Sequence, residues 1–280
     1  MDRIEYRVLR PSEAQDLVGW AGDEGWNPGL NDALIFHSVD PDGWFGAFRD
    51  GIMVGGAVAT NYDRRFSFGG FYIVSPAYRR SGIGWSLTSL AVEHAGDRCF
   101  GIDGVLGMED RYHRRMRLHS SYRNVRWEGS SENRKGPDGL RDWRELGWRE
   151  LVDFDSRHFP ARREGFLKDW LMQSGSKTLA ALGSDGGIVA MGTIRPCLQG
   201  YKVGPLFAER PRLARSLLDG LLEGVTGPYY LDVPEPNREG MALAVDMGMT
   251  PVFHTARMYS QEPPVLPLQD IYGVTSFELG

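Results

Sequence analysis

Tyr72-Ile73-Val74-Ser75-Pro76-Ala77-Tyr78-Arg79-Arg80-Ser81-Gly82-Ile83-Gly84 is the stretch that decides how this 280-residue chain is read. The run before it, residues 66–74, is aromatic and β-branched, the composition of a strand. It ends at a proline, two arginines and Gly-x-Gly. Residues 85–95 then place Leu87, Leu90 and Ala91 on one side at helical spacing. Glycine at 82 and 84 allows a tight turn and close approach of a ligand. The helix N-terminus beyond offers unpaired amides and a positive dipole end, which suit a pyrophosphate. Arg79 or Arg80 can add charge-assisted bonds to phosphate oxygens. No Gly-Lys-Ser/Thr follows, so this is not a Walker loop. Gly84 leads into Trp-Ser-Leu, so it is not a GxGxxG dinucleotide fingerprint either. On spacing alone a plain strand-turn-helix joint is an equal reading.

Working outward, residues 4–9 alternate like a strand, and Pro11-Ser12-Glu13 opens a helix with Ser12 as its cap. Gly25 to Gly29 break that helix, and a second covers 31–37. Residues 44–48 and 52–60, joined by Asp50-Gly51, form a hairpin. After the glycine loop and its helix come a strand over 99–106, a short helix over 110–116 and a strand over 119–127. Residues 129–138, GSSENRKGPD, have the composition of a linker. Beyond it, helices over 145–157 and 161–173 precede a hairpin of 178–182 and 188–194. Strands over 201–207, 229–233 and 251–259 then alternate with helices over 211–222 and 239–246. This is an α/β (α+β) pattern in which each half is a mixed, mostly antiparallel sheet flanked by helices. The two halves repeat one order of elements, with hairpin turns at Asp50-Gly51 and Asp185-Gly186, which implies an internal duplication of about 130 residues. The expected division is 1–128, a linker at 129–138, and 139–280.

Length alone favours two domains. Thirty-two basic and 37 acidic residues give a net charge of −5, which excludes nucleic-acid binding through bulk positive charge. No apolar run is long enough for a membrane-spanning helix, and the N-terminus lacks the apolar core of a signal peptide. The expected setting is cytoplasmic, with no nucleic acid or membrane as partner, and with self-association into a homodimer left open. Two distant cysteines, Cys99 and Cys197, and six histidines without ligand spacing point to neither a disulfide framework nor a metal site.

Arg79-x-x-Gly82-x-Gly84 after a strand ending in Val-x-Pro resembles the acyl-CoA pyrophosphate loop of the GCN5-related N-acetyltransferases, and the element order of the first half is similar throughout. The resemblance implies acetyl-CoA as co-substrate. The backbone of Tyr72, Ile73 and Val74 would pair with the pantetheine arm, and the loop from Arg79 and Arg80 through Ser81, Gly82, Ile83 and Gly84 to Trp85 would hold the pyrophosphate. The second half matches more faintly, through Asn237, a helix and Gly248-Met249. Its corresponding loop reads Ala208-Glu209-Arg210-Pro211, and Glu209 would repel a pyrophosphate. The chain is thus similar to tandem bacterial acetyltransferases with a degenerate second copy, some of which end in a tail like residues 273–280.

The same resemblance implies direct attack by an amine of a small molecule or peptide in a ternary complex. That chemistry needs an acid for the leaving thiolate and a base for the amine. In the family a tyrosine four residues before Gly-Phe commonly acts as the acid. Here Arg117-Leu118 replaces that pair, so counting selects His113 while residue type selects Tyr112. Asp103, Glu278 and the Gly280 carboxylate are the candidate bases; a simple turn is the plain reading for Asp103, and a strand completing the second sheet is the plain reading for the tail. Trp26, Phe36 and Trp44, with Trp20, are candidates for the acceptor pocket or simply for the core. Six arginines between 111 and 126 form a solvated face or meet the CoA 3′-phosphate. Net acidity mildly favours a cationic acceptor by long-range steering. A catalytically idle CoA-binding sensor is the alternative function.

Overall fold

The computed structural model describes residues 4–280. The first half runs β1 (Glu5–Val8), α1 (Pro11–Asp23), α2 (Asp32–Val39), β2 (Trp44–Arg49), β3 (Ile52–Asn61), β4 (Phe66–Val74), α3 (Ile83–Ala95), β5 (Cys99–Val105), α4 (Glu109–Met116) and β6 (His119–Glu132). The second runs β7 (Arg141–Asp142), α5 (Trp148–His158), α6 (Glu164–Met172), β8 (Lys177–Leu182), β9 (Ile188–Pro196), β10 (Tyr201–Ala208), α7 (Pro211–Leu221), β11 (Thr226–Pro234), α8 (Arg238–Asp246), β12 (Thr250–Tyr259) and β13 (Ile271–Gly273). The α/β order and the duplication read from sequence are both present. Helix α1 is capped at Arg10, two residues before the expected Ser12. Pro11 takes the first helical position and Glu13, not Ser12, accepts from the Arg10 amide at 2.9 Å.

All strands join one sheet in the order β1-β2-β3-β4-β5-β12-β6-β11-β10-β9-β8-β7, with β13 against β10. Its pairings are antiparallel except for β4 with β5 and β10 with β11. Each half lends its last long strand to the other. Strand β12 lies between β5 and β6, while β6 lies between β12 and β11. The expected linker is therefore shorter than its composition implied. Gly129 to Glu132 continue β6 and pair with Thr226 to Tyr229 of β11, because that distant edge needs their backbone groups and not their side chains.

The two parallel pairs are splayed in the same way. Strands β4 and β5 pair only from Phe66–Cys99 to Gly69–Ile102, after which β4 continues to Val74 without β5. Strands β10 and β11 pair over Tyr201 to Val203 and then separate. In the second half β13 enters that gap and pairs with Leu206 and Phe207. The Asn237 side chain secures this plug, donating to the Gln269 and Ile271 carbonyls at 3.0 and 2.9 Å while capping α8. The chain then continues between the halves, with Val274 to Gly280 buried. Tyr62 donates to the Leu279 carbonyl at 2.7 Å. The tail lies so near β4 that a Cβ on Gly70 would overlap the Glu278 carbonyl oxygen, so glycine is required there.

Candidate functional site: a cleft at the first splay and the cavity behind it

The glycine loop forms the mouth of an open cleft of about 890 Å³. Gly82 caps α3 in the left-handed region at φ 92, which an L side chain adopts only with strain. The Trp85 and Ser86 amides donate to the Gly82 carbonyl at 2.9 and 3.2 Å, which leaves those of Ile83 and Gly84 as the unpaired donors of the first turn. Gly82 and Gly84 line the cleft, so the positive end of the helix borders it. Arg79, Arg80, Arg111 and Arg115 line it with Tyr72 to Val74, Gly84 and Trp85. Arg79 is partly engaged: its Nε donates to the Val74 carbonyl at 2.9 Å and its guanidinium pairs with Glu24. Arg115 stacks over Trp85, 5.2 Å from the ring centroid. Ser81 donates to the Tyr78 carbonyl at 2.6 Å, which shapes the loop, and Ile83 is buried beneath it. An unpaired β4 edge, free helix amides and arginines fit the pantetheine and phosphates of a CoA molecule.

A second cavity, about 110 Å³, continues through the splay. Trp26 and Tyr72 line both spaces and join them. Its walls are mainly apolar, among them Val58, Ala91, Phe100, Ile102, Phe253 and Phe277. Tyr112 reaches it from α4, and burial pushes its pKa up against the opposing influence of the Val105 backbone. A phenol held protonated beside an opening of this kind can donate a proton. His113 is absent from this lining. It contacts the Leu118 carbonyl at 3.1 Å and packs on His119. Arg117 adopts φ 56 and Leu118 is fully buried, so Arg-Leu occupies the left-handed and core positions of a Gly-Phe pair.

Three charged groups border the cavity, and each is paired. Asp103 accepts from Arg257 at 3.0 and 2.6 Å, and also from Asn124 and Thr255. Burial pushes its carboxyl up while Arg257 pulls it down, and bidentate contact leaves it little freedom to take a proton. Arg126 forks onto Asp232 at 2.7 and 2.7 Å and donates to the Trp26 carbonyl at 2.7 Å. It is a buried member of the arginine run expected to be solvated. Glu278 lies 3.4 Å from Lys202 and 3.9 Å from Arg126, and its other oxygen accepts from Ser276 at 2.6 Å. Although burial opposes the charge, these cations hold Glu278 at about 2. Lys202 and Phe277 escaped the sequence reading as site residues, because tertiary packing alone brings them beside Arg126 and the first half.

Other expected site residues lie elsewhere. Gly280 borders a separate small cavity with Tyr122 and Arg257 and not the one holding Tyr112. Phe36 is fully buried, stacked on Phe166 at 5.8 Å, and Trp44 is fully buried against Phe71 at 5.6 Å. Both line neither space: α2 and β2 turn them into the core that α6 completes, leaving Trp26 as the member of that aromatic set at the site.

Residues 8–122 match the acetyltransferase (GNAT) family model and residues 151–273 match a second acetyltransferase (GNAT) domain model. The holothin acyltransferase of Pseudoalteromonas sp. (strain SANK 73390) is 29% identical over 271 residues, 96% of this chain and 92% of that one. A candidate acetyltransferase from Pyrococcus horikoshii superposes with a TM-score of 0.85 at 21% identity, over 99% of this chain and 96% of the other. A tandem GNAT protein from the clavulanic acid biosynthesis pathway superposes with a TM-score of 0.66 at 15% identity, over 94% and 100%.

Proposed function

Because the chain belongs to the GCN5-related N-acetyltransferase family and carries its fold twice, we propose that it transfers an acetyl group from acetyl-CoA to an amine of a small molecule or peptide, in a ternary complex, at its first half alone. The observation that carries this reading is the continuity of the arginine-lined cleft with the buried cavity holding Tyr112. The acyl thioester supplies the electrophilic carbonyl. The α3 amides, with Arg80, Arg111 and Arg115, bind the pyrophosphate and the 3′-phosphate. The open edge of β4 aligns the pantetheine arm, and Tyr112 protonates the departing thiolate. Glu278 acts as a fixed anion that holds Lys202 and Arg126 in place, since a carboxyl at about 2 is a weak base at neutral pH. The second half has no such slot to offer, because β13 fills its splay. The relative named as a holothin acyltransferase supports acyl transfer as the reaction.

Calorimetry with acetyl-CoA, CoA and ATP tests the binding step, with acetyl-CoA and CoA expected to bind and ATP not. ATP binding without CoA binding would overturn the proposal. Thiol release across an amine panel tests turnover, and CoA binding with no release would favour the idle sensor.

A further inference from the structure

The charged side chains that line this cavity, Asp103, Arg126 and Glu278, and the cations packed behind them each have a partner of opposite sign. From β6 comes Arg126, paired with Asp232 of β11; from β10 comes Lys202, facing Glu278 of the tail; from β12 comes Arg257, paired with Asp103 of β5. Arg195 of β9, whose charge also reaches Glu278, is tied to Asp32 of α2 at 3.0 Å. The four cations are balanced by four carboxylates. An ammonium entering here would meet apolar walls and the face of Glu278 already claimed by two cations. Burying such a charge without a counter-ion is costly. The rings of Trp26, Phe253 and Phe277 are among its remaining apolar walls, and the cavity, at about 110 Å³, approaches the size of the roughly 150 Å³ apolar cavity that admits benzene.

We propose that the acceptor is an amine uncharged at neutral pH, a small aryl- or heteroarylamine, and not an alkylammonium such as a polyamine or aminoglycoside. The inference rests on the acetyltransferase reading and narrows its substrate. A neutral nitrogen already has its lone pair. It forms the N–C bond, the C–S bond breaks with its electrons remaining on the CoA sulfur, and one N–H proton ends there as the thiol. No base is needed before attack, which matches a site whose carboxylates are all engaged. An alkylamine with a pKa near 10.4 is neutral in only about one part in a thousand at pH 7.4. Long-range steering by the net negative charge favours cations at a distance, but the local pairing decides what is admitted.

Aniline and benzylamine share a ring and differ in basicity, so they separate the possibilities. Calorimetry first establishes acetyl-CoA binding, then measures each amine against the CoA complex, and thiol release gives kcat/KM from pH 6 to 9. Aniline should bind, and should be acetylated at least about 100-fold more efficiently at pH 7, with a nearly flat profile. Benzylamine should rise about tenfold for each pH unit. Phe253→Asp supplies a spare carboxylate and should shift the ratio toward benzylamine at least about tenfold; an unchanged ratio counts against the inference. Acetyl-CoA binding with benzylamine equal or better would overturn this inference and leave the acetyltransferase reading intact, as would binding with neither amine acetylated. Failure to bind acetyl-CoA would overturn both.

Discussion

Replacing Glu278 by Gln tests the role assigned to the tail most directly. The carboxyl moves from 4.5 to about 2 on folding, held there by Lys202 and Arg126. At roughly 1.4 kcal/mol per pH unit, that shift contributes about 3 kcal/mol of stability. Because the folded value is depressed, the contribution is complete above about pH 4.5 and disappears as pH falls toward 2. Lys202 works in the opposite sense, since burial and Arg126 disfavour its ammonium. The pair together is therefore worth less than Glu278 alone, and E278Q leaves Lys202 buried without its carboxylate. Urea unfolding at pH 7 should show E278Q less stable by about 3 kcal/mol, roughly 6 °C in Tm for a chain of this length. Adding K202M should recover about half of the loss. The gap between wild type and E278Q should close as both are titrated from pH 4.5 toward 2. A single variant within 1 kcal/mol of wild type at pH 7, or a gap that persists at low pH, would refute the ion-pair account.

Tyr112→Phe should lower kcat by about 100-fold with KM for acetyl-CoA little changed, whereas His113→Ala should stay within about threefold of wild type; steady-state thiol release distinguishes them. Gly82→Asp places a strained φ and a negative charge at the start of α3, and calorimetry should show acetyl-CoA affinity reduced at least about 100-fold, with about 1–2 kcal/mol lost in stability. Phe36→Ala should cost about 3–5 kcal/mol in urea unfolding while the protein that remains folded keeps its acceptor KM, as befits a core ring. A changed KM without destabilisation would instead return Phe36 to the acceptor site.

Local pattern carried much of the fold. The strand before the glycine loop, the hairpin at Asp50-Gly51 and the helix beginning at Ile83 follow from residue types that favour those backbones wherever they sit. The end of β6 does not. Gly129 and its polar neighbours form strand because Thr226 to Tyr229 lie alongside, and nothing within ten residues announces that edge. The site divides along the same line. Loop glycines and arginines are contiguous and therefore legible, while Arg126, Lys202 and Glu278 meet only after β6, β10 and the tail have converged. The choice between Tyr112 and His113 depended on a glycine that is missing from the sequence. Its backbone shape persists in Arg117, which a count of residue types does not reveal.

The lending of β6 and β12 also sets a timetable for synthesis. When the ribosome has released Glu132, the first half has its glycine loop but not the strand that belongs between β5 and β6. That strand ends at Tyr259, about 127 residues later. At elongation rates of about 5–20 residues per second, the interval is on the order of 6–25 s. During it β5 and β6 each present an uncovered edge, open to mispairing with another nascent chain. The duplicated halves therefore mature together, late in translation, and the nascent chain has reason to meet a chaperone before its last strand arrives.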